Sequence, residues 1–278
     1  MTIPTVETTG GLLLPMVGFG TYRLNGQAGV DSIRTAIHNG YRLLDSAFSY
    51  ENEGAVGAAV RSSGLEREQV VITSKLPGHH HGYHEAVQTI QESVYRTGLD
   101  WIDLYLIHWP LPRLGLYVQA WQALIDARER GIVRHIGVSN FLPEHLERLV
   151  EETGVPAEVN QIEMHPYFPQ LDALTYHREH NIVTEAWSPI GRGNDLLTNP
   201  VITDVAARHG VSSAQVVLAW HVKLGAIPLP KAVSPSRQRE NLDLFSFELT
   251  DDEVARITAL GRPDGRTAGQ DPATYEEF

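Results

Sequence analysis

Short apolar runs alternate with segments of helical period along almost the whole chain, and no other feature restricts the fold as strongly. VGFGTYR precedes the first helical segment, and RLLDSA, VVITSKL, IDLYLIHWP, VRHIGVSN, EVNQIEMH, IVTEAWSP and AIPLPK each follow one. Strands joined through helices pair in parallel, and eight such units without a long linker predict closure into one (β/α)8 TIM barrel, an α/β fold, over residues 1–278. A chain of 278 residues with 42% hydrophobic residues has enough apolar material for a core of that size. VETTGGLLLP reads as a β-hairpin cap before the first barrel strand, turning at TTGG. Asp31 is expected to open a helix over SIRTAIHNG that stops at Gly40, and Thr250 with Glu253 to form a capping box on the last helix. The tail from Gly261 to Phe278 has no period and reads as a loop over the barrel mouth or as disorder.

The formal charge is -12, with acidic residues scattered along the chain. That balance argues against a nucleic-acid backbone or an anionic membrane as the main partner, while leaving room for a local basic site. Cysteine is absent, which excludes a disulfide framework, a thiol nucleophile and a thiolate metal site. With no basic-then-apolar start and no run of about 18 apolar residues, the expected home is the cytoplasm and the expected state a monomer.

In a barrel of this kind chemistry sits where strands end, so polar residues closing apolar runs are the informative ones. Asp45 follows RLL, Lys75 follows VVITS, His108 follows IDLYLI, Ser139 and Asn140 follow HIGV, and Gln161 follows EVN. Any one of these reads equally well as the start of a loop; their shared position does not.

DSAFSYENEGAVGAAV, ITSKL, LIHWP, IGVSNF, NQIEMHPY and IPLPKAVSPSRQREN, in that order, resemble the motifs of the aldo-keto reductases, and the resemblance covers essentially the whole chain. YRLLD, LIHWP, HPYFPQ and RQREN are similar to the bacterial 2,5-diketo-D-gluconic acid reductases. The resemblance implies hydride reduction of a ketone or aldehyde by NADPH, with Asp45, Tyr50, Lys75 and His108 as the catalytic set. Carbonyl reduction builds negative charge on oxygen and needs a placed proton donor. Tyr50 suits that task, a Lys75 ammonium would lower its pKa, Asp45 would keep the lysine charged, and His108 would orient the carbonyl.

A Rossmann G-x-G-x-x-G pattern does not follow VGFGTY. The resemblance instead implies a cofactor lying across the barrel mouth. It assigns Ser139, Asn140 and Gln161 to the carboxamide, Trp187 to stacking under the nicotinamide, and Gly20, Thr21, Tyr22, Ser188 and Arg192 to the rest of the groove. The adenosine end falls to Lys231, Ala232, Val233, Ser234, Arg237, Glu240 and Asn241, with Lys231 and Arg237 supplying charge for the 2′-phosphate. Ala232 stands where the family often has serine, which removes one phosphate hydrogen bond.

The substrate is expected to be a small-molecule carbonyl such as 2,5-diketo-D-gluconate, held by Tyr22, Phe48, Ser49, His108 and Trp109. Pro77 stands where many family members carry tryptophan, which predicts a pocket wider on that side. A broad-specificity aldehyde or methylglyoxal reductase and a nicotinamide-sensing regulatory barrel are the alternatives. The GHHHGYH run, with His79, His80, His81 and His84, reads as a surface loop, because consecutive imidazoles converge poorly on one ion and no carboxylate pattern accompanies them. No metal is expected. His165 reads as a packing element.

Overall fold

A computed structural model describes residues 3–277; Met1, Thr2 and Phe278 lie outside the described residues. The hairpin strands are β1 (Thr5–Glu7) and β2 (Leu13–Pro15), antiparallel with Val6 opposite Leu14. Eight parallel strands follow: β3 (Phe19–Gly20), β4 (Leu43–Asp45), β5 (Val71–Leu76), β6 (Ile102–Ile107), β7 (Val133–Ser139), β8 (Val159–Glu163), β9 (Val183–Trp187) and β10 (Ala226–Pro228). Each pairs with its neighbour in chain order. Closure is made by backbone bonds between the first and last strands, from Gly18 N–H to the Pro228 carbonyl (3.0 Å) and from Gly20 N–H to the Pro230 carbonyl (3.1 Å). Both seam positions are glycine for a steric reason. A Cβ on Gly18 would lie 2.5 Å from Leu229 Cδ2, and one on Gly20 would lie 3.0 Å from the Leu229 carbonyl oxygen, so a side chain at either would push the closing strands apart.

The two-residue period of a strand sorts side chains into two sets. Leu43, Leu104, Leu106, Val159 and Ile227 fill the barrel interior with Leu14 and Leu229, whereas Leu44, Ile72, Tyr105, Ile136 and Ile162 face the helices. Leu14 belongs to the hairpin, which therefore plugs the N-terminal end of the barrel. Thr8 Oγ1 anchors it by donating to Glu158 Oε2 at 2.6 Å, just before β8. With that end filled by apolar side chains, access is left to the C-terminal end.

Helix ends follow local chemistry, with one correction. Thr250 caps the last helix and exchanges hydrogen bonds with Glu253, as the capping-box pattern predicts. The first barrel helix, by contrast, starts at Gly26 rather than at Asp31, though it does end at Gly40 (φ 119°). Asp31 lies within it, accepting from Gln27 and Arg34 on the exposed face; an acidic residue in an i,i+4 network resembles a cap in sequence. Among the described residues, no helix is long and apolar enough to cross a membrane.

Candidate functional site

Asp45 ends β4 in the inward series begun by Leu43, and Lys75 lies on β5 two residues beyond Thr73, paired in register with inward-facing Leu106. Lys75 is fully buried; its Nζ donates to Asp45 Oδ1 at 2.6 Å and to the Ser46 carbonyl at 2.7 Å. Burial alone would drive the lysine toward neutrality, but Asp45 and the neighbouring groups outweigh it and the pKa is raised. A stable ammonium thus sits under the mouth, 5.1 Å from the centroid of the Tyr50 ring. Tyr50 closes a 3-10 turn (Phe48–Tyr50) whose exit residue, Glu51, has φ 54°. That turn is fixed by neighbouring amides: Asn25 Nδ2 donates to the Tyr50 carbonyl at 3.0 Å, and Asn52 Nδ2 to the Thr21 carbonyl at 2.7 Å. The Tyr50 ring meets Tyr22 edge-on at 5.0 Å and His108 at 5.9 Å. Burial pushes the Tyr50 phenol up, Lys75 pulls it down, and burial with Asp45 and Glu277 prevails. The expectation of a net lowering by Lys75 is therefore not met in the free protein.

Strands β7 to β9 supply the opposite wall. Ser139 donates from Oγ to the Gln161 carbonyl at 2.8 Å, and Asn140, with φ 64°, donates to the His108 carbonyl at 3.0 Å and accepts the Trp187 indole N–H at 2.8 Å. One side chain therefore fixes both the histidine segment and the indole. Gly20, Tyr22, Ser49, His108, Trp109, Asn140, Gln161, Trp187, Ser188, Arg192 and Lys231 line one cavity of about 500 Å³ together with Asp45 and Tyr50. Lys231, Ala232, Val233, Ser234, Arg237, Glu240 and Asn241 line a second of about 770 Å³, and Ile190 and Lys231 border both. The two form one groove running from the strand ends to the helix Pro235–Leu242.

Besides the buried Lys75, three expected residues lie off this groove. Thr21 is buried with its hydroxyl on the Asp45 carbonyl at 2.8 Å, and Ser139 is buried in the bond described above. Phe48 turns outward, meeting the His80 ring at 5.6 Å and the Arg96 guanidinium at 3.8 Å. The His run also needs correction. It forms a 3-10 turn (Gly78–His80) with His79 exposed, but His81 is fully buried, without a hydrogen-bond partner among the described residues, and burial lowers its pKa to about 4. His165 is buried between Glu163 (3.1 Å) and Phe168, in keeping with a packing role. Among the described residues no group of three or more His, Cys, Asp or Glu is arranged to hold a metal ion.

The tail lies over the mouth. Tyr275 packs on Trp109 at 4.6 Å, Glu276 accepts from the Arg113 amide at 2.8 Å, and Glu277 accepts from the Gly78 amide at 3.1 Å. Glu277 Oε1 also lies 2.8 Å from His108 Nδ1. That nitrogen has no hydrogen-bond partner of good geometry among the described residues. Burial raises the Glu277 pKa, but His108 and the Gly78 amide more than offset it and hold the carboxyl below its usual range. Next to Pro77 the tail comes close: Glu277 packs against Gly78, where a Cβ would lie 2.6 Å from the Glu277 carbonyl oxygen. Gln270, Tyr275 and Glu277 of the tail, with Leu229, Pro230, Ser212 and Ser213, are groove residues that sequence reasoning missed. Glu185 was missed too, although its parity with Trp187 on β9 places it inside the barrel.

The sequence profile described as the Aldo/keto reductase family matches residues 16–262. The chain belongs to this family. It is 50% identical over 276 residues to 2,5-diketo-D-gluconic acid reductase B of Corynebacterium sp. (strain SHS752001), covering 99% of each chain. Among solved structures it is similar to an aldo/keto reductase from Brucella melitensis (40% identity, TM-score 0.89, 93% of this chain and 100% of that one). It is also similar to a point mutant of Gox0644 crystallised in complex with NADPH (38% identity, TM-score 0.94, 100% of both).

In this aldo/keto reductase the groove is electrostatically asymmetric. Lys231 and Arg237 are exposed in the second cavity and make no salt bridge among the described residues, while Asp45 and Glu277 line the first. Free cations concentrated at one end of a groove, on a chain of charge -12, suit an elongated polyanion. A flat indole and an amide-lined floor at the other end suit an aromatic carboxamide. The residues present therefore fit a nicotinamide dinucleotide.

Lys75→Met should leave Asp45 buried without its cation and cost about 3–5 kcal/mol of folding stability. Urea unfolding checks this, and Asp45→Asn introduced into the same variant should recover part of the loss. An unchanged midpoint in Lys75→Met would show that the pair is dispensable for folding.

Proposed function

We propose that this enzyme reduces a ketone or aldehyde to an alcohol with NADPH, Tyr50 delivering the proton. The observation that carries this reading is the buried Lys75 ammonium, held by Asp45 beneath a tyrosine that faces the cavity beside His108. NADPH, when bound, supplies the hydride. Everything else is left to side chains. With its pKa raised, Tyr50 keeps its proton at neutral pH, so the acid form is fully populated. After transfer, the phenolate meets Lys75 in a medium of low dielectric constant, where their attraction is stronger than in water. His108 borders the same space and can donate to the developing alkoxide, a preorganised electrostatic contribution. Asn140, Gln161 and Trp187 line the nicotinamide end, and Lys231 and Arg237 the phosphate end. The Gox0644 complex with NADPH supports the choice of cofactor.

Tyr50→Phe keeps the ring and removes the proton, so turnover should fall about 100-fold or more while NADPH affinity stays close to wild type. Steady-state kinetics beside fluorescence titration of NADPH measures both. Turnover close to wild type would remove Tyr50 from the reaction.

Lys231→Met and Arg237→Met should each raise the Kd for NADPH while leaving that for NADH nearly unchanged, because the 2′-phosphate is the only group by which the two differ. Equal losses for both cofactors would place the 2′-phosphate elsewhere. Ala232 in the same wall offers no hydroxyl to that phosphate, which predicts a preference milder than a serine would confer.

The substrate proposed is 2,5-diketo-D-gluconate or a similar keto sugar acid. Support comes from the 50% identity with the Corynebacterium enzyme and from Ser49 and Arg192 at the cavity wall, which could hydrogen-bond a sugar acid. One observation favours a broader aldehyde reductase: Glu277 brings a carboxylate to His108, and Tyr22, Trp109 and Tyr275 make the rim aromatic. For the sugar acid, kcat/KM should exceed that for nitrobenzaldehyde at saturating NADPH, since hydroxyl-binding groups left unpaired by an apolar ligand are costly. The reverse order would reject the sugar acid and favour the broader reading.

A further inference from the structure

Between β8 and β9, one amide spans two acids. Gln161 Nε2 donates to Asp45 Oδ1 and to Glu185 Oε2, each at 2.8 Å. Two carboxylate acceptors settle which end of the amide points where: both N–H groups face the acids, so the Gln161 carbonyl oxygen is turned away from them, and Gln161 is a lining residue of the cavity. Glu185 is fully buried and its Oε1 has no partner among the described residues. A buried carboxylate with one oxygen unsolvated is costly, and here it would join Asp45 against the single charge of Lys75. The cost falls if the unpartnered oxygen holds a proton, which leaves Oε2 free to accept from Gln161.

We infer that Glu185 is a positioning residue of the reductase site: it holds the Gln161 amide for the nicotinamide and, by gaining or losing one proton, sets the charge beneath Lys75 and Tyr50. The titratable groups that face it are Asp45 and Lys75, with Gln161 as its hydrogen-bond donor. Burial and then Asp45 raise its pKa to about 7, with Gln161 and Lys75 opposing. When Glu185 ionises, the added negative charge favours the Lys75 ammonium and disfavours a tyrosinate above it. Tyr50 then becomes a poorer acid, and reduction slows as pH rises through neutrality.

The inference rests on Tyr50 acting as proton donor, so one readout must be independent of turnover. Glu185→Gln imitates the protonated acid and still accepts from Gln161. In its kcat profile with NADPH, the fall of roughly three- to ten-fold expected of the wild type between about pH 6 and pH 8 should be absent. In the free protein, a protonated-carboxyl infrared band that disappears over the same range should be present in wild type and missing in Glu185→Gln. Glu53, the other buried acid with a raised pKa, is separated by Glu53→Gln, in which the band should persist. The stability readout has a definite sign. A folded pKa above the unfolded one means stability is lost as pH rises through about 7, so Glu185→Gln should gain in Tm over wild type at pH 8 more than at pH 5. Glu185→Leu, which cannot accept from Gln161, should weaken NADPH binding several-fold, and Glu185→Gln should not.

A pH-dependent infrared band retained in Glu185→Gln, or equal Tm differences at the two pH values, overturns the assignment whatever the kinetics do. If Glu185→Gln does not fold, the Glu53→Gln spectrum decides, and absence of the band overturns the inference. If the infrared and Tm results agree with the expectation but the kcat profile is unaltered, Glu185 titrates without acting on Tyr50, and the charge-setting role is wrong.

Discussion

The site depends on a lysine ammonium that stays charged where no water reaches it. An isolated cation in such a place would lose its proton; Asp45 and the Ser46 carbonyl prevent that by occupying two of its three donors at 2.6 and 2.7 Å. The third side of the ammonium faces the Tyr50 ring. Around this pair the surrounding polar groups have little freedom. Asp45 already accepts from Gln161 as well as from Lys75, and its carbonyl accepts from both the amide and the hydroxyl of Thr21. Moving any one of these would leave a buried polar group unsatisfied, at a cost of about 1–3 kcal/mol each. Such a network behaves as a unit, which is how a phenol and an imidazole on separate loops keep one relative placement.

That network exists because the barrel closes. Asp45 and Lys75 meet across β4 and β5, but Gln161 reaches Asp45 from β8, on the far side of a ring that closes only where β3 meets β10. Gly18 and Gly20 allow that meeting, and the plug of Leu14 and its apolar neighbours seals the opposite end. The glycines of VGFGTY thus serve the fold, by letting backbones approach, where in a dinucleotide fingerprint they would serve a pyrophosphate.

Much of this was legible in the sequence, because both the strand period and the polar strand ends are local signals. Eight parallel strands, the hairpin before them, and the gathering of Asp45, Lys75, His108, Asn140 and Gln161 at one end followed from them. Less legible was anything set by distant contacts. Asp31 resembles a cap but lies within a helix whose start depends on how the chain leaves Thr21. Phe48 sits one residue from a cavity wall, and only the direction of a short turn decides that it faces His80 and Arg96. His81 is polar and flanked by exposed His79, yet the tail and Leu111 cover that side of the barrel. The tail is the hardest case: with no period of its own, its course is decided by contacts such as Tyr275 on Trp109 and Thr267 on Glu163.

The tail also changes the electrostatics of the substrate end. Glu277 sets a carboxylate, held below its usual pKa by His108 and the Gly78 amide, beside His108 Nδ1 in the cavity wall. A carboxylate there repels an anionic substrate and accepts hydrogen bonds from a hydroxylated one, so the same residue opposes one end of a sugar acid and favours the other. Orientation follows from that conflict. In a sugar acid bound here, the acid group would be favoured away from Glu277 and toward Arg192, which lines the same cavity, has φ 50° and makes no salt bridge among the described residues. Arg192 also borders the groove toward Lys231, so a substrate carboxylate and a cofactor phosphate would draw on the same cation, and the strength of one interaction limits the other.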